Sequence, residues 1–289
     1  PRAVSTGPNW AYLRIAEGCD NRCAYCVIPS LRGKFRSRTK ESILEEARLL
    51  AASGVKELII AAQDITRYGI DLYGKVCLTE LLKELCKLDF RWVRLHYLYP
   101  ELIDDELIDE IASEDKIVKY LDIPIQHIND TILRRMNRRG TGEEIRALFK
   151  KLRERIPGLV LRTSLITGLP GEGEAEFEEL CDFLREAKIE RAGVFPYSPE
   201  EGTPAALMPD RCSTEEAQRR AELCMEIQAE IMDGFAETFI GRELDVLVMG
   251  REPDGTPWGR SEYDSPDIDS RVIFSGDAAP GDMVRVRID

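Results

Sequence analysis

Between Trp10 and about Ser198, apolar runs of strand length alternate with longer segments of helical periodicity. That alternation restricts most of the chain to a parallel sheet built from βα units. The expected strands are residues 11–16, 57–63, 92–97, 120–125, 160–166 and 192–197. Helices are expected over 40–53, 79–88, 104–113, 142–156 and 174–187, where apolar residues such as Ile43, Ala47, Leu50 and Ala51 recur near a period of 3.6. Six such strands fit an α/β fold of the incomplete (β/α)6, TIM-like barrel kind, in which chemistry gathers at the carboxyl ends of the strands.

A long helical pattern, 213–239, follows, with Ser213 as its cap and Glu216 at the capping-box position. After Gly241 the pattern changes to short alternating strands, 243–249, 258–263, 271–274 and 283–288, punctuated by Gly and Pro. This predicts a small all-β domain resembling an oligonucleotide-binding barrel. The expected division is therefore 1–239, including the long linking helix, and 240–289.

The chain's 289 residues are enough for one sizeable core and a small second domain. No apolar run approaches the roughly 20 residues that span a bilayer, so a cytoplasmic protein without a membrane partner is expected. The net charge of −13 does not favour a grip on nucleic-acid phosphates, and the tail from Gly241 carries six Arg against eleven Asp or Glu. A basic protein partner suits it better. Two runs depart from this balance, Arg32 to Arg38 and Arg134 to Arg139. They are either solvated positive surface or rims that attract an anionic side chain or phosphate.

Directly after the first strand comes Cys19-x-x-x-Cys23-x-x-Cys26, three thiols on one short loop. Three cysteines holding a [4Fe-4S] cluster leave one iron free to bind the amino and carboxylate groups of S-adenosylmethionine. A zinc site, a disulfide and ordinary buried thiols are the alternatives. Structural zinc takes four ligands, and no second Cys-x-x-Cys or paired His follows, His96 and His127 being the only histidines. A disulfide framework belongs to small secreted chains. The other five cysteines, Cys77, Cys86, Cys181, Cys212 and Cys224, fall mostly in helical patterns as core or surface thiols.

Around this loop, Tyr25 is placed either to contact an adenine or to pack locally. Gln63 and Asp64 end the second strand, where they can orient the methionyl part of the cofactor or the substrate. Gln126 and His127 follow the fourth, and His127 is assigned to binding rather than proton transfer, having no visible partner. Arg162 on the fifth strand has the planar fork that suits a carboxylate. Gly168 and Gly171 permit close backbone approach or serve a tight turn. No catalytic residue beyond the cysteines is expected.

The chain resembles the radical S-adenosylmethionine methylthiotransferases, particularly the RimO type, from Trp10 almost to Asp289. The resemblance rests on Gly18 to Cys26, Ile28 to Arg38, Arg94 to Pro100, Pro124 to His127, Arg162 to Glu172, Tyr197 to Pro204 and Gly259 to Asp269. It implies a radical SAM barrel followed by a TRAM domain, and adds Tyr197 to the cofactor-contacting residues. It also implies a methylthio group placed on the β-carbon of an aspartate in small-subunit ribosomal protein twelve, with an electron donor such as flavodoxin or ferredoxin. Relatives hold a second [4Fe-4S] cluster on three cysteines of an N-terminal domain. No such set is visible here, so this polypeptide is expected not to complete methylthiolation alone. Relatives also continue past Asp289 through another strand, which implies a frayed barrel. The tRNA-adenosine enzymes of the MiaB kind share nearly every radical-site residue, and a non-catalytic binding module is the third reading.

Overall fold

The computed structural model describes residues 6–289; residues 1–5, with which the expected first domain begins, lie outside the described residues. In chain order the elements open with β1 (Trp10–Arg14), β2 (Ala16–Glu17), α1 (Ile28–Arg32), β3 (Arg36–Ser37), α2 (Lys40–Ala52) and β4 (Glu57–Ala61). Next come α3 (Ile70–Tyr73), α4 (Leu78–Leu85), β5 (Trp92–Leu95), α5 (Asp105–Ser113), β6 (Ile117–Asp122), α6 (Asp130–Arg135) and α7 (Gly142–Arg155). The chain finishes with β7 (Val160–Thr167), α8 (Glu174–Ala187), β8 (Arg191–Pro196), α9 (Thr214–Glu237), β9 (Glu243–Arg251), β10 (Pro257–Ser261), β11 (Val272–Ile273) and β12 (Met283–Arg287). No described helix is long and apolar enough to cross a membrane.

The six-stranded sheet runs in the order β1-β4-β5-β6-β7-β8, with every pairing parallel, so β1 and β8 are its two open edges. This is the expected open α/β barrel. Helices α2, α4, α5, α7 and α8 cover its outer face through an apolar core that includes Ile43, Leu58, Leu81, Ile108, Leu152 and Leu180. Thr141 begins α7 with a full capping box to Glu144.

Several elements depart from the sequence reading. The first strand breaks after Arg14, and Ala16–Glu17 turns aside to pair antiparallel with Arg36–Ser37. That ribbon clamps both ends of the cysteine loop. Strand β6 begins three residues earlier than expected because Lys119 hides its charge at the end of α5, donating to the carbonyls of Ile111 and Glu114. Ser213 does cap α9, accepting from Glu216 N at 3.1 Å. The expected reciprocal half of the box is lost, because the Glu216 carboxylate pairs with Arg219 and Arg220 instead.

The C-terminal residues form an antiparallel sheet in the order β11-β10-β9-β12. Its β10–β11 connection reaches into the α/β unit and fills the lumen with paired polar groups. Glu57, fully buried at the start of β4, accepts from Arg94 Nε at 2.6 Å and from Arg260 of β10. Arg191 donates to Asp264 at 2.8 Å, Tyr120 to Asp269 at 2.6 Å, and Ser265 Oγ lies 3.0 Å from His96 Nε2. Unpaired, such charges would cost several kcal/mol each to bury. The two sheets therefore require one another's side chains.

Candidate active site

The cysteine loop leaves β2 through Gly18, whose φ is +79° and where a Cβ would lie 2.2 Å from the Lys34 carbonyl oxygen. Only glycine fits there. Hydrogen bonds at both ends and in the middle then fix the loop. Cys19 N donates to Gly33 O at 3.1 Å, and Asp20 accepts from Phe35 N at 3.2 Å. Asn21 Nδ2 donates to Asp64 at 2.9 Å, and Ala24 N to Met136 O at 2.8 Å. Cys19, Cys23 and Cys26 thus sit at the carboxyl-end rim of the sheet.

Cys23 is the most enclosed of the three. Its Sγ lies 2.9 Å from Tyr99 Oη and 3.9 Å from Arg138 Nη1, and the Arg138 guanidinium stacks 4.1 Å from the Tyr99 ring centre. Arg138 also donates to Pro124 O at 2.7 Å. Burial pushes the Cys19 thiol up to about 11 and raises that of Cys26. As donors, three thiols on one anchored loop suit a soft metal cluster that is left one ligand short. No group of three metal-ligating side chains is already gathered around a point among the described residues.

Beside the loop lies a cavity of about 210 Å³, lined by Tyr25, Gln126, Ile166, Phe195, Pro196, Tyr197 and Ser198. A larger one, of about 880 Å³, separates α9 from the C-terminal sheet, away from the cysteines. Three expected cofactor residues, Tyr25, Gln126 and Tyr197, therefore share one small cavity. Gln126 is held at φ +72° by bonds of its N–H to Ser164 O and its carbonyl to Ile166 N, both 2.9 Å. A non-glycine residue in the left-handed region is a strained choice that surrounding bonds must enforce. Tyr197 Oη is buried without a partner, as is Gln63 Oε1. Both are polar atoms that a ligand group would satisfy.

Arg162 points into the lumen, with Nη1 2.7 Å from Asp122 Oδ1. Asp122 also accepts from Tyr97 N at 3.3 Å, and Tyr97 itself has φ +63°. Burial pushes the Asp122 carboxyl above its ordinary range, opposed by Arg162.

Three further residues are placed differently from the sequence reading. Asp64 is almost wholly buried and accepts from Asn21, Thr66 N and Thr66 Oγ1, so its carboxylate anchors the cysteine loop. His127 does have partners: Nδ1 accepts from Asn129 N at 3.0 Å, and Nε2 lies 3.3 Å from Glu172 Oε2. It faces the α6 and β7 connections rather than the cavity. The close approach at Gly168 is to α9, since a Cβ there would meet Ala217 Cβ at 2.4 Å. Its N–H donates to Glu172 at 2.8 Å, and Arg220 of α9 holds the same carboxylate oxygen at 2.9 Å.

Sequence reasoning missed Tyr99, Arg138, Asn21 and Asp122. Arg138 and Tyr99 stood inside segments already noted, but nothing in their spacing joined them to Cys23.

A parallel α/β barrel with three cysteines on the loop that follows its first strands defines a class. The Radical SAM superfamily model matches residues 13–184, and this chain belongs to that superfamily. A TRAM domain model matches residues 240–289. Among curated proteins, the chain is 50% identical over 291 residues to the ribosomal protein uS12 methylthiotransferase RimO of Caldanaerobacter subterraneus subsp. tengcongensis. That match covers 100% of this chain and 66% of the relative. It is 53% identical over 293 residues to the protein of the same name from Pelotomaculum thermopropionicum, again covering 100% and 66%. The chain thus spans about two thirds of the length of these relatives.

Of solved structures, coproporphyrinogen III oxidase (HemN) from Escherichia coli, a radical SAM enzyme, superposes with a TM-score of 0.59 at 20% identity. It covers 78% of this chain and 54% of that one. The methyltransferase TsrM from Kitasatospora setae, with cobalamin and a [4Fe-4S] cluster bound, gives 0.56 at 20% identity over 68% and 38%. At these identities the likeness concerns the fold.

Proposed function

We propose that Cys19, Cys23 and Cys26 hold a [4Fe-4S] cluster and that the neighbouring cavity takes S-adenosylmethionine, in a methylthiotransferase acting on ribosomal protein uS12. The observation that carries the cofactor reading is the anchored three-cysteine loop beside a cavity whose lining includes Tyr197, with its hydroxyl unsatisfied. The relatives named RimO support the substrate. When bound, the cluster supplies the electron that cleaves S-adenosylmethionine to methionine and a 5′-deoxyadenosyl radical.

This chain's residues do the rest. Tyr25 and Tyr197 enclose the adenosyl part, Gln63 and Gln126 offer amides to it, and Arg162, oriented by Asp122, pairs with the cofactor carboxylate. Asp64, His127 and Gly168 hold the loop and the β7 connection in register. The site would then present the β-carbon of an aspartate in uS12 to the adenosyl fragment, which would take its hydrogen; a second S-adenosylmethionine would supply the methyl of the methylthio group, and the second cluster that the resemblance implies would supply its sulfur. A reduced flavodoxin or ferredoxin supplies electrons, and the setting is the cytoplasm. The acidic segment 240–289, which we take as a second domain whose β10–β11 connection is embedded in the barrel of residues 1–239, meets the basic ribosomal protein.

The test uses uS12 carrying deuterium at aspartate β-carbons. Deuterium appearing in 5′-deoxyadenosine supports hydrogen abstraction at that site. Cleavage that yields labelled nucleoside only from tRNA deuterated at the target adenine would reassign the substrate to the MiaB class.

A further inference from the structure

Two basic segments meet at the cysteine loop. Residues 14–38 hold six basic and two acidic side chains, and residues 130–139 four basic and one acidic, on a chain whose net charge is −13. They are joined by Ala24 N to Met136 O at 2.8 Å and Asn137 Nδ2 to Arg22 O at 2.7 Å. Arg22, Lys34, Arg36, Arg134 and Arg139 are all exposed, and none makes an ion pair among the described residues. Elsewhere many exposed basic groups are paired, as Arg155 is with Asp105 and Asp109, and those that are not, such as Arg48 and Arg242, lie on separate elements rather than around one loop. Leu31, 69% exposed, stands on the same rim.

A positive rim with an exposed leucine, on an otherwise acidic chain, complements an acidic protein of limited contact area. A nucleic-acid backbone would have to continue from the rim onto repelling surface. Reduction of a cluster on Cys19, Cys23 and Cys26 requires a donor to come close to that loop, and the rim surrounds it. We propose that Arg22, Lys34, Arg36, Arg134 and Arg139 form the docking surface for an acidic one-electron carrier protein of the flavodoxin class. The inference rests on the cofactor reading above. The carrier's anionic flavin hydroquinone gives up one electron, with no proton, to become the neutral semiquinone, and that electron passes to the group held by the three cysteines.

Docking is measured first by calorimetric titration of oxidised flavodoxin into the chain without a cluster, at about 50 mM salt, where exposed charges are weakly screened. Lys34→Glu/Arg134→Glu, and separately Arg139→Glu, are expected to weaken binding by about tenfold or more. The control Lys87→Glu/Lys150→Glu makes the same charge change as the double rim variant, in the turn after α4 and on α7, and should shift binding by less than about twofold. Wild-type affinity should fall as salt rises. Equal losses in rim and control variants, salt-independent binding, or tighter binding of an RNA oligonucleotide to the same rim would each overturn the proposal.

A second readout separates the two levels. In the cluster-loaded chain, rim variants should lose flavodoxin-driven cleavage of S-adenosylmethionine yet keep dithionite-driven cleavage. No cleavage with dithionite in wild type would fail the cofactor reading, with docking still decided by the titration. Normal flavodoxin-driven cleavage in the rim variants would fail the docking surface alone.

Discussion

Glu57→Gln should be among the most destabilising single changes available in this chain. Glu57 is fully buried and is the only carboxylate paired with either Arg94 or Arg260 among the described residues. Burial alone would raise its pKa, but the two guanidinium groups outweigh that and hold it below the usual carboxylate range. The substitution removes the charge and leaves two buried cations uncompensated. A hydrogen bond to a charged group is worth about 1.5–3 kcal/mol, so two give roughly 3–6 kcal/mol, in line with about 3–5 kcal/mol for breaking a buried ion pair. A loss near 4 kcal/mol corresponds to a melting temperature lower by about 7 °C at this chain length. Urea denaturation followed by far-UV circular dichroism reads it. Replacing all three charges, as Glu57→Leu/Arg94→Met/Arg260→Met, should recover more than half of the loss, because no unpaired charge is then left at that position. A single variant within about 1 kcal/mol of wild type, or a triple variant no better than the single, would refute the reasoning.

Three further outcomes follow from the same geometry. Burial, with Arg94 and Arg162 nearby, pushes the His96 pKa down to about 3. The unfolded chain binds this proton near pH 6.5 and the folded chain does not, so its contribution is full above 6.5 and lost as pH falls. By linkage the loss is about 2 kcal/mol at pH 5, and His96→Gln should flatten stability between pH 7 and 5, as checked by urea melts at each pH. Gly168→Ala forces a methyl against Ala217 at a φ of +74° and should cost about 2–4 kcal/mol in the same melts. Arg162→Ala should weaken S-adenosylmethionine binding to the reconstituted protein by about tenfold or more in calorimetry, and Asp122→Asn by less, since Asp122 only orients the guanidinium.

What the sequence disclosed and what it hid divide along physical lines. The barrel strands were legible because parallel strands buried on both faces, such as Leu58 to Ile60, read as unbroken apolar runs. The cysteine loop was legible because ligand spacing is local. The lumen was not, since Arg260 meets Glu57 across 203 residues and only the fold brings them together. His127 appeared unpartnered for the same reason, Glu172 being remote in sequence. Gly168 was noticed but its partner was not, because nothing in the β7 segment reveals that α9 packs against it. The β2–β3 ribbon was too short to show a period.

The central claim is that the three cysteines make this chain a radical centre. It is tested most directly by anaerobic reconstitution with iron and sulfide, dithionite reduction with S-adenosylmethionine, and mass-spectrometric detection of 5′-deoxyadenosine, comparing wild type with Cys23→Ala. The account predicts 5′-deoxyadenosine from wild type and none from Cys23→Ala. A fully loaded wild-type cluster that yields none, or equal yields from both proteins, would contradict it.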